Sequence, residues 1–179
     1  WAAFQANNRL PRPERNDALA ALQKYLDGQR LVLIDGANEL YFLRADAFAR
    51  EFSLQAAIRG SGQEYQRLDA IRATGRLVIV PLNFPKPPNV NSPDAVRDVD
   101  IDELLHWDTA PENAARLTQA GVPIALTSNG LKDAGEFLGA LRTAVERAVL
   151  LGTPEAWADI RSPEAAADMP SLAGAAAEA

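Results

Sequence analysis

Residues 76–91 read Arg-Leu-Val-Ile-Val-Pro-Leu-Asn-Phe-Pro-Lys-Pro-Pro-Asn-Val-Asn. Leu77, Val78, Ile79 and Val80 form a short apolar run, rich in β-branched residues and without polar alternation. That is the pattern of a parallel strand buried on both faces. Pro81, Pro85, Pro87 and Pro88 then prevent a continued ladder or a helix start, so the strand is expected to end in a loop. Three other stretches repeat the scheme of apolar run, abrupt polar end and helical segment. Leu31-Val32-Leu33-Ile34 ends at Asp35-Gly36, and Leu54-Gln55-Ala56-Ala57-Ile58 ends at Arg59-Gly60-Ser61-Gly62. Val122-Pro123-Ile124-Ala125-Leu126 ends at Thr127-Ser128-Asn129-Gly130.

The intervening segments carry helical spacing. Asn16 is placed to cap a helix in which Leu19, Leu22 and Leu26 recur, with Gly28 at its end. Leu40, Leu43 and Ala47, with Phe48 and Phe52 beside them, predict the inward face of a second helix, and Tyr65, Leu68 and Ile71 that of a third, closed by Gly75. Residues 92–108 are acidic and are expected to hold one short helix around Ile101 to Leu105. Thr109, Pro111 and Glu112 have the spacing of a hydroxyl cap, a first-turn proline and a cap-plus-three carboxylate, opening a helix that ends near Gly121. Phe137, Leu141, Val145 and Val149 stand four apart in a last, long helix.

Four apolar strands alternating with helices define an α/β chain with parallel strands and right-handed crossovers. The expected organisation is an N-terminal arm or linker over 1–16, an α/β domain over 17–151 and an Ala/Pro-rich, weakly ordered tail over 152–179. Two architectures fit: half of a (β/α)8 TIM-type barrel, or a small doubly wound, flavodoxin-like sheet. In either, ligand chemistry belongs at the carboxyl ends of the strands.

Composition narrows the function classes. With 179 residues and 47% hydrophobic content the chain can bury a core. A net charge of −6 and no basic stripe argue against a nucleic-acid partner. No apolar stretch reaches the roughly 18 residues of a membrane span, so no membrane insertion is expected. Cysteine is absent, which removes disulfides, thiolate metal sites and a cysteine nucleophile. The start at Trp1 and the single methionine, Met169, suggest a piece of a longer protein. A periplasmic or secreted setting is favoured over a cytoplasmic one for that parent.

Three segments carry a family resemblance. They are Ile58-Arg59-Gly60-Ser61-Gly62-Gln63-Glu64-Tyr65, Val80-Pro81-Leu82-Asn83-Phe84-Pro85, and the stretch from Leu105-His106-Trp107-Asp108 on to Thr127-Ser128-Asn129-Gly130-Leu131. Together, over about residues 17–150, the chain resembles the second half of the barrel in the imidazolonepropionase-related bacterial branch of the amidohydrolase superfamily. The resemblance implies hydrolysis of non-peptide carbon–nitrogen bonds, in small or cyclic amides, by a metal-activated water. It also implies that a divalent metal (zinc, iron or manganese) is held mainly by the other half of the barrel, with its His-x-His, upstream of this chain. The expected partners are a small-molecule substrate and that remaining half. On the family pattern, Asp35 and Arg59 stand where histidines usually end strands five and six, and Asn129 where an aspartate usually shuttles the proton. A guanidinium cannot bind a cation and a neutral amide cannot act as a general base. The alternative is therefore a catalytically silent, amidohydrolase-like binding or scaffold domain of a larger protein.

Four candidate site residues follow from the strand ends and a fifth, His106, from its chemistry. Asp35 and Asn129 are the candidates for the catalytic positions, and Arg59, Asn83 and His106 for substrate binding; no metal ligand is assigned. Asp35 has as its ordinary alternative a turn in which it bonds its own loop. Arg59-Gly60-Ser61-Gly62 reads as an anion cradle at a helix start or as a tight turn. Asn83 reads as a donor to a substrate carbonyl or as an Asx turn. His106 is the only histidine, which makes an all-protein zinc site within this chain untenable. It reads as a structural residue beside Trp107 or as a proton shuttle. Ser128 lies in no G-x-S-x-G elbow, which removes a serine hydrolase.

Overall fold

A computed structural model describes residues 2–7, 9, 11 and 16–151. The tail expected over 152–179 lies outside these residues. The N-terminal arm includes one short helix, α1 (Ala2–Ala6). From there α2 (Asp17–Leu26), β1 (Val32–Asp35), α3 (Glu39–Glu51), β2 (Ala56–Arg59), a 3-10 turn (Glu64–Arg67) and α4 (Leu68–Thr74) follow. The chain goes on through β3 (Val78–Pro81), α5 (Pro93–Asp98), α6 (Ile101–Thr109), a 3-10 turn (Ala110–Glu112) and α7 (Asn113–Gln119). It closes with β4 (Ile124–Thr127), a 3-10 turn (Ala134–Glu136) and α8 (Phe137–Leu150).

The four strands form one parallel sheet in the order β1-β2-β3-β4. The register sorts their side chains into two faces. Val32 and Ala56, then Ile34, Ile58, Val78 and Ile124, then Val80 and Leu126 share one face. This is the core face. Phe42 and Ala45 of α3, Ile71 of α4, Ala114, Ala115 and Leu117 of α7, and Val145 and Ala148 of α8 all pack on it. Ala49 and Leu54 close the core over Val32 and Ala56.

The opposite face carries Leu33 and Ala57, then Asp35, Arg59, Ile79 and Ala125 in one row, then Pro81 and Thr127. None of these residues joins a hydrophobic cluster among the described residues, and Leu33 is 54% exposed. Ala57 and Pro81 on this face are nonetheless buried, and Ile79 and Ala125 are half-buried. A doubly wound sheet reverses its strand order, and the sequential order β1-β2-β3-β4 departs from the flavodoxin-like alternative in that respect. The expectation that Leu77, Val78, Ile79 and Val80 are buried on both sides is corrected. Val78 and Val80 are buried, whereas Leu77 is exposed and Ile79 is half-buried on the open face.

Capping follows the sequence in some helices and departs from it in others. Asn16 Oδ1 accepts from the N–H groups of Ala18 and Leu19 at 3.0 and 3.1 Å, as its position implied. Leu19, Leu22 and Leu26 of α2 nonetheless remain exposed, so that helix lies off the core. In α3 the buried residues are Phe42, Ala45, Asp46 and Ala49, while Leu40, Ala47, Phe48 and Phe52 face outward. An aspartate in the inward stripe disguised the true face. Asp46 is satisfied there by Arg50 Nε at 2.7 Å and Arg76 Nε at 2.8 Å, and Arg76 also reaches the Leu54 carbonyl at 3.2 Å. The cap expected at Thr109 is absent: Thr109 ends α6, and its side chain makes no capping bond. Glu112 instead accepts from Arg116 at 2.7 Å and pairs with Arg147 of α8 at 3.0 Å. The acidic stretch holds two helices, α5 and α6, started by Ser92 and Asp100 as N-caps.

Candidate functional site

Because the strands are parallel and sequential, their carboxyl ends lie along one edge of the sheet. Asp35 and Arg59 are directly paired across β1 and β2, and an Arg59 guanidinium nitrogen donates to Asp35 Oδ2 at 2.6 Å. The Asp35 side chain is 63% exposed and that of Arg59 28%. An ion pair this open contributes at most about 1 kcal/mol. Its consequence is chemical: the carboxylate at the first strand end is neutralised by its neighbour, and both residues belong to the face opposite the helical core.

The loop after Arg59 is a cradle that the chain fills itself. Glu64 is fully buried. Its carboxylate accepts from the N–H groups of Ser61 at 2.6 Å and Gly62 at 3.1 Å, and from Asn113 Nδ2 at 2.7 Å. Successive N–H groups converging on an anion are the arrangement expected of a ligand cradle, but here the anion is a side chain three residues on. Gly60 is required by the same contact, since a Cβ there would collide with the Glu64 carboxylate. Asn113, also fully buried, is oriented by giving its amide N–H to Glu64 and accepting the Tyr65 N–H at 2.9 Å. The anion-cradle reading of Gly60-Ser61-Gly62 is therefore met by an internal ligand.

Asn83 lies just beyond β3, where the Leu82 N–H still reaches Thr127 O at 3.3 Å. Its side-chain amide approaches Gly130, whose φ of +85° and lack of a Cβ allow the contact. Asn129 is exposed beside it, its own N–H tied to Thr127 Oγ1 at 3.2 Å. The Asn83 side chain thus reaches the β4 end at Gly130, the residue after Asn129, and an open depression nearby is lined by Leu126, Thr127, Ser128, Ala134 and Phe137.

His106, on α6, joins a different group. Its Nδ1 lies 3.2 Å from the Tyr65 hydroxyl, with the two rings stacked at 6.2 Å between centroids. Burial holds the His106 pKa below its ordinary 6.5, against an opposing pull from the Glu64 charge. The five predicted residues therefore do not form one cluster: Asp35 pairs with Arg59, Asn83 approaches Gly130 beside Asn129, and His106 joins Tyr65. Sequence patterning does not single out Glu64 or Asn113, and Tyr65 carries the spacing of a core residue. The sequence signal that could have found them is a Glu four residues after a glycine in a Gly-x-Gly turn.

Donors suited to a cation do not assemble. Among the described residues no three of His, Asp and Glu lie grouped to hold a metal ion. Asp35 is engaged by a cation already, and the one imidazole is held by Tyr65. Among the described residues no helix is long and apolar enough to cross a membrane. In comparisons with known proteins, no family model, curated protein or solved structure matches the chain.

Proposed function

We propose that this chain is one half of an amidohydrolase-like (β/α)8 barrel, and that it supplies the substrate-binding rim for a small or cyclic amide. The observation that carries the reading is the one-sided sheet. Core-forming helices packed on one face, strands in sequential order and an opposite face carrying exposed Leu33 and half-buried Ile79 and Ala125 are what half of a closed barrel would present. The carboxyl strand ends then surround a mouth, with Arg59, Asn83 and Asn129 as hydrogen-bond donors to a carbonyl or carboxylate of the substrate. Asp35 sets the direction of the Arg59 guanidinium. The resemblance in the Arg59, Asn83 and Asn129 segments supports the choice of amide substrates over other barrel chemistries. This chain's donors do not fit the family's metal, so its ligands are assigned to the complementary half and no step is derived through it here.

A second reading, a binding or scaffold domain that does not hydrolyse, is favoured by one observation: a guanidinium paired to a carboxylate occupies positions where the family usually places two histidines. One experiment divides the two. Amide hydrolysis is measured in the intact protein, with any upstream residues present, for the wild type and for Asn129→Asp. Restoring a proton acceptor at that strand end is expected to raise turnover by about a hundredfold on the hydrolase reading, the usual worth of a positioned base. A wild type and a variant that are both inert towards amides yet still bind them select the scaffold reading.

A further inference from the structure

We propose that Tyr65 is a positioning residue that fixes His106 as its Nε2–H tautomer, so that the carboxyl side of the sheet offers a neutral imidazole donor to an amide or lactam carbonyl. The choice of ligand rests on the amide reading above; the tautomer does not. A phenol hydroxyl is a better donor than acceptor, and the unprotonated nitrogen of a neutral imidazole is a strong acceptor. At 3.2 Å the Tyr65 O–H therefore donates to Nδ1, and the ring proton resides on Nε2.

The tyrosine is held in place from behind. Its backbone N–H is bonded to Asn113, Asn113 to the buried Glu64, and Glu64 to the Ser61 and Gly62 N–H groups at the end of β2. Nε2 has no hydrogen-bond partner among the described residues and is not among the unsatisfied atoms sealed from solvent. It therefore keeps contact with solvent and has no protein group among the described residues competing for it. Burial lowers the His106 pKa, which keeps the ring uncharged near neutrality.

The test is a two-bond 1H–15N correlation spectrum of the intact protein, taken above the imidazole titration, with His106 assigned by the signals missing in His106→Gln. The expected wild-type spectrum shows the Nε2–H form. In Tyr65→Phe the tautomer ratio is expected to shift towards Nδ1–H by about fivefold, the factor sustained by a hydrogen bond of ordinary net strength. A wild-type Nδ1–H form, or an unchanged ratio in a folded Tyr65→Phe, overturns the proposal; should that variant unfold, a wild-type Nε2–H fraction no greater than that of free N-acetylhistidine amide at the same pH overturns it. Titration with 2-pyrrolidone, a simple lactam, is expected to shift the Nε2 resonance saturably in the wild type, and no shift removes the carbonyl-donor role. An Nε2–H ring that responds to the lactam in a protein without amidase turnover would refute hydrolysis and leave this assignment standing.

Discussion

A methyl group at position 60 has nowhere to go, because the buried Glu64 carboxylate already occupies its place. Gly60→Ala is expected to lose about 2 kcal/mol, the ordinary cost of overpacking a filled site, read as a lowered midpoint in urea unfolding. Glu64→Ala is expected to lose about 3 kcal/mol, since it leaves the Ser61 and Gly62 N–H groups and the Asn113 amide without their acceptor. His106 adds a pH dependence with a definite sign. Its folded pKa is lowered by burial, so below about 6.5 the unfolded chain takes up the proton first. Stability is expected to be flat in this group above that pH and to fall as the pH drops towards the folded pKa. Comparing the wild type with His106→Gln isolates the effect, and equal slopes in the two between pH 7 and 5 would rule it out. These features were only partly legible. Gly60, Ser61 and Gly62 announced an anion, but their spacing could not say that the anion was internal. Tyr65 looked like core, because its hydroxyl partner lies 41 residues away in sequence.

At the scale of elements, all four strands and the order of the main helices could be read from apolar runs and caps, because those signals are local. The faces were harder. In α3 the stripe of Leu40, Leu43 and Ala47 outranks Phe42, Ala45 and Ala49 only while Asp46 is assumed to face water. Once Arg50 and Arg76 are known to meet it, the buried aspartate belongs. This cluster ties α3 to the approaches to β2 and β3, through Thr74 O and Leu54 O. Asp46→Ala is expected to cost about 3 kcal/mol, because it strands Arg76 in a partly buried place without its partner. A double-mutant cycle with Arg76→Ala should return a coupling above about 1 kcal/mol. Additive losses would show that the pair is incidental. The missed cap at Thr109 has the same origin: Glu112 is drawn into a contact with Arg147 of α8 that no local motif encodes.

For the whole molecule, the decisive property is a parallel sheet whose core-forming helices pack on one face. β1 and β4 each have a single hydrogen-bonded neighbour among the described residues, and Leu33 stands exposed on the open face. Unpaired edges beside an apolar face favour self-association. The chain produced without a complementary half is expected to sediment as concentration-dependent oligomers, and Leu33→Lys to shift it towards monomer. A chain that stays monomeric at high concentration would count against an open barrel half. Here sequence reasoning reached the parallel α/β class but left two architectures open, since four βα units read alike in both. The structure adds the register, which puts Leu33, Ile79 and Ala125 opposite the core-forming helices.

The Asp46 cluster sits at the amino ends of the strands, whereas Asp35, Arg59, Asn83 and Asn129 sit at the carboxyl ends. Natural drift or a randomised library could therefore rewrite the exposed polar tips with little loss of foldedness, provided the pillar beneath them is untouched. Such a layout lends itself to acquiring new ligand preferences, or to shedding old ones, without rebuilding the scaffold.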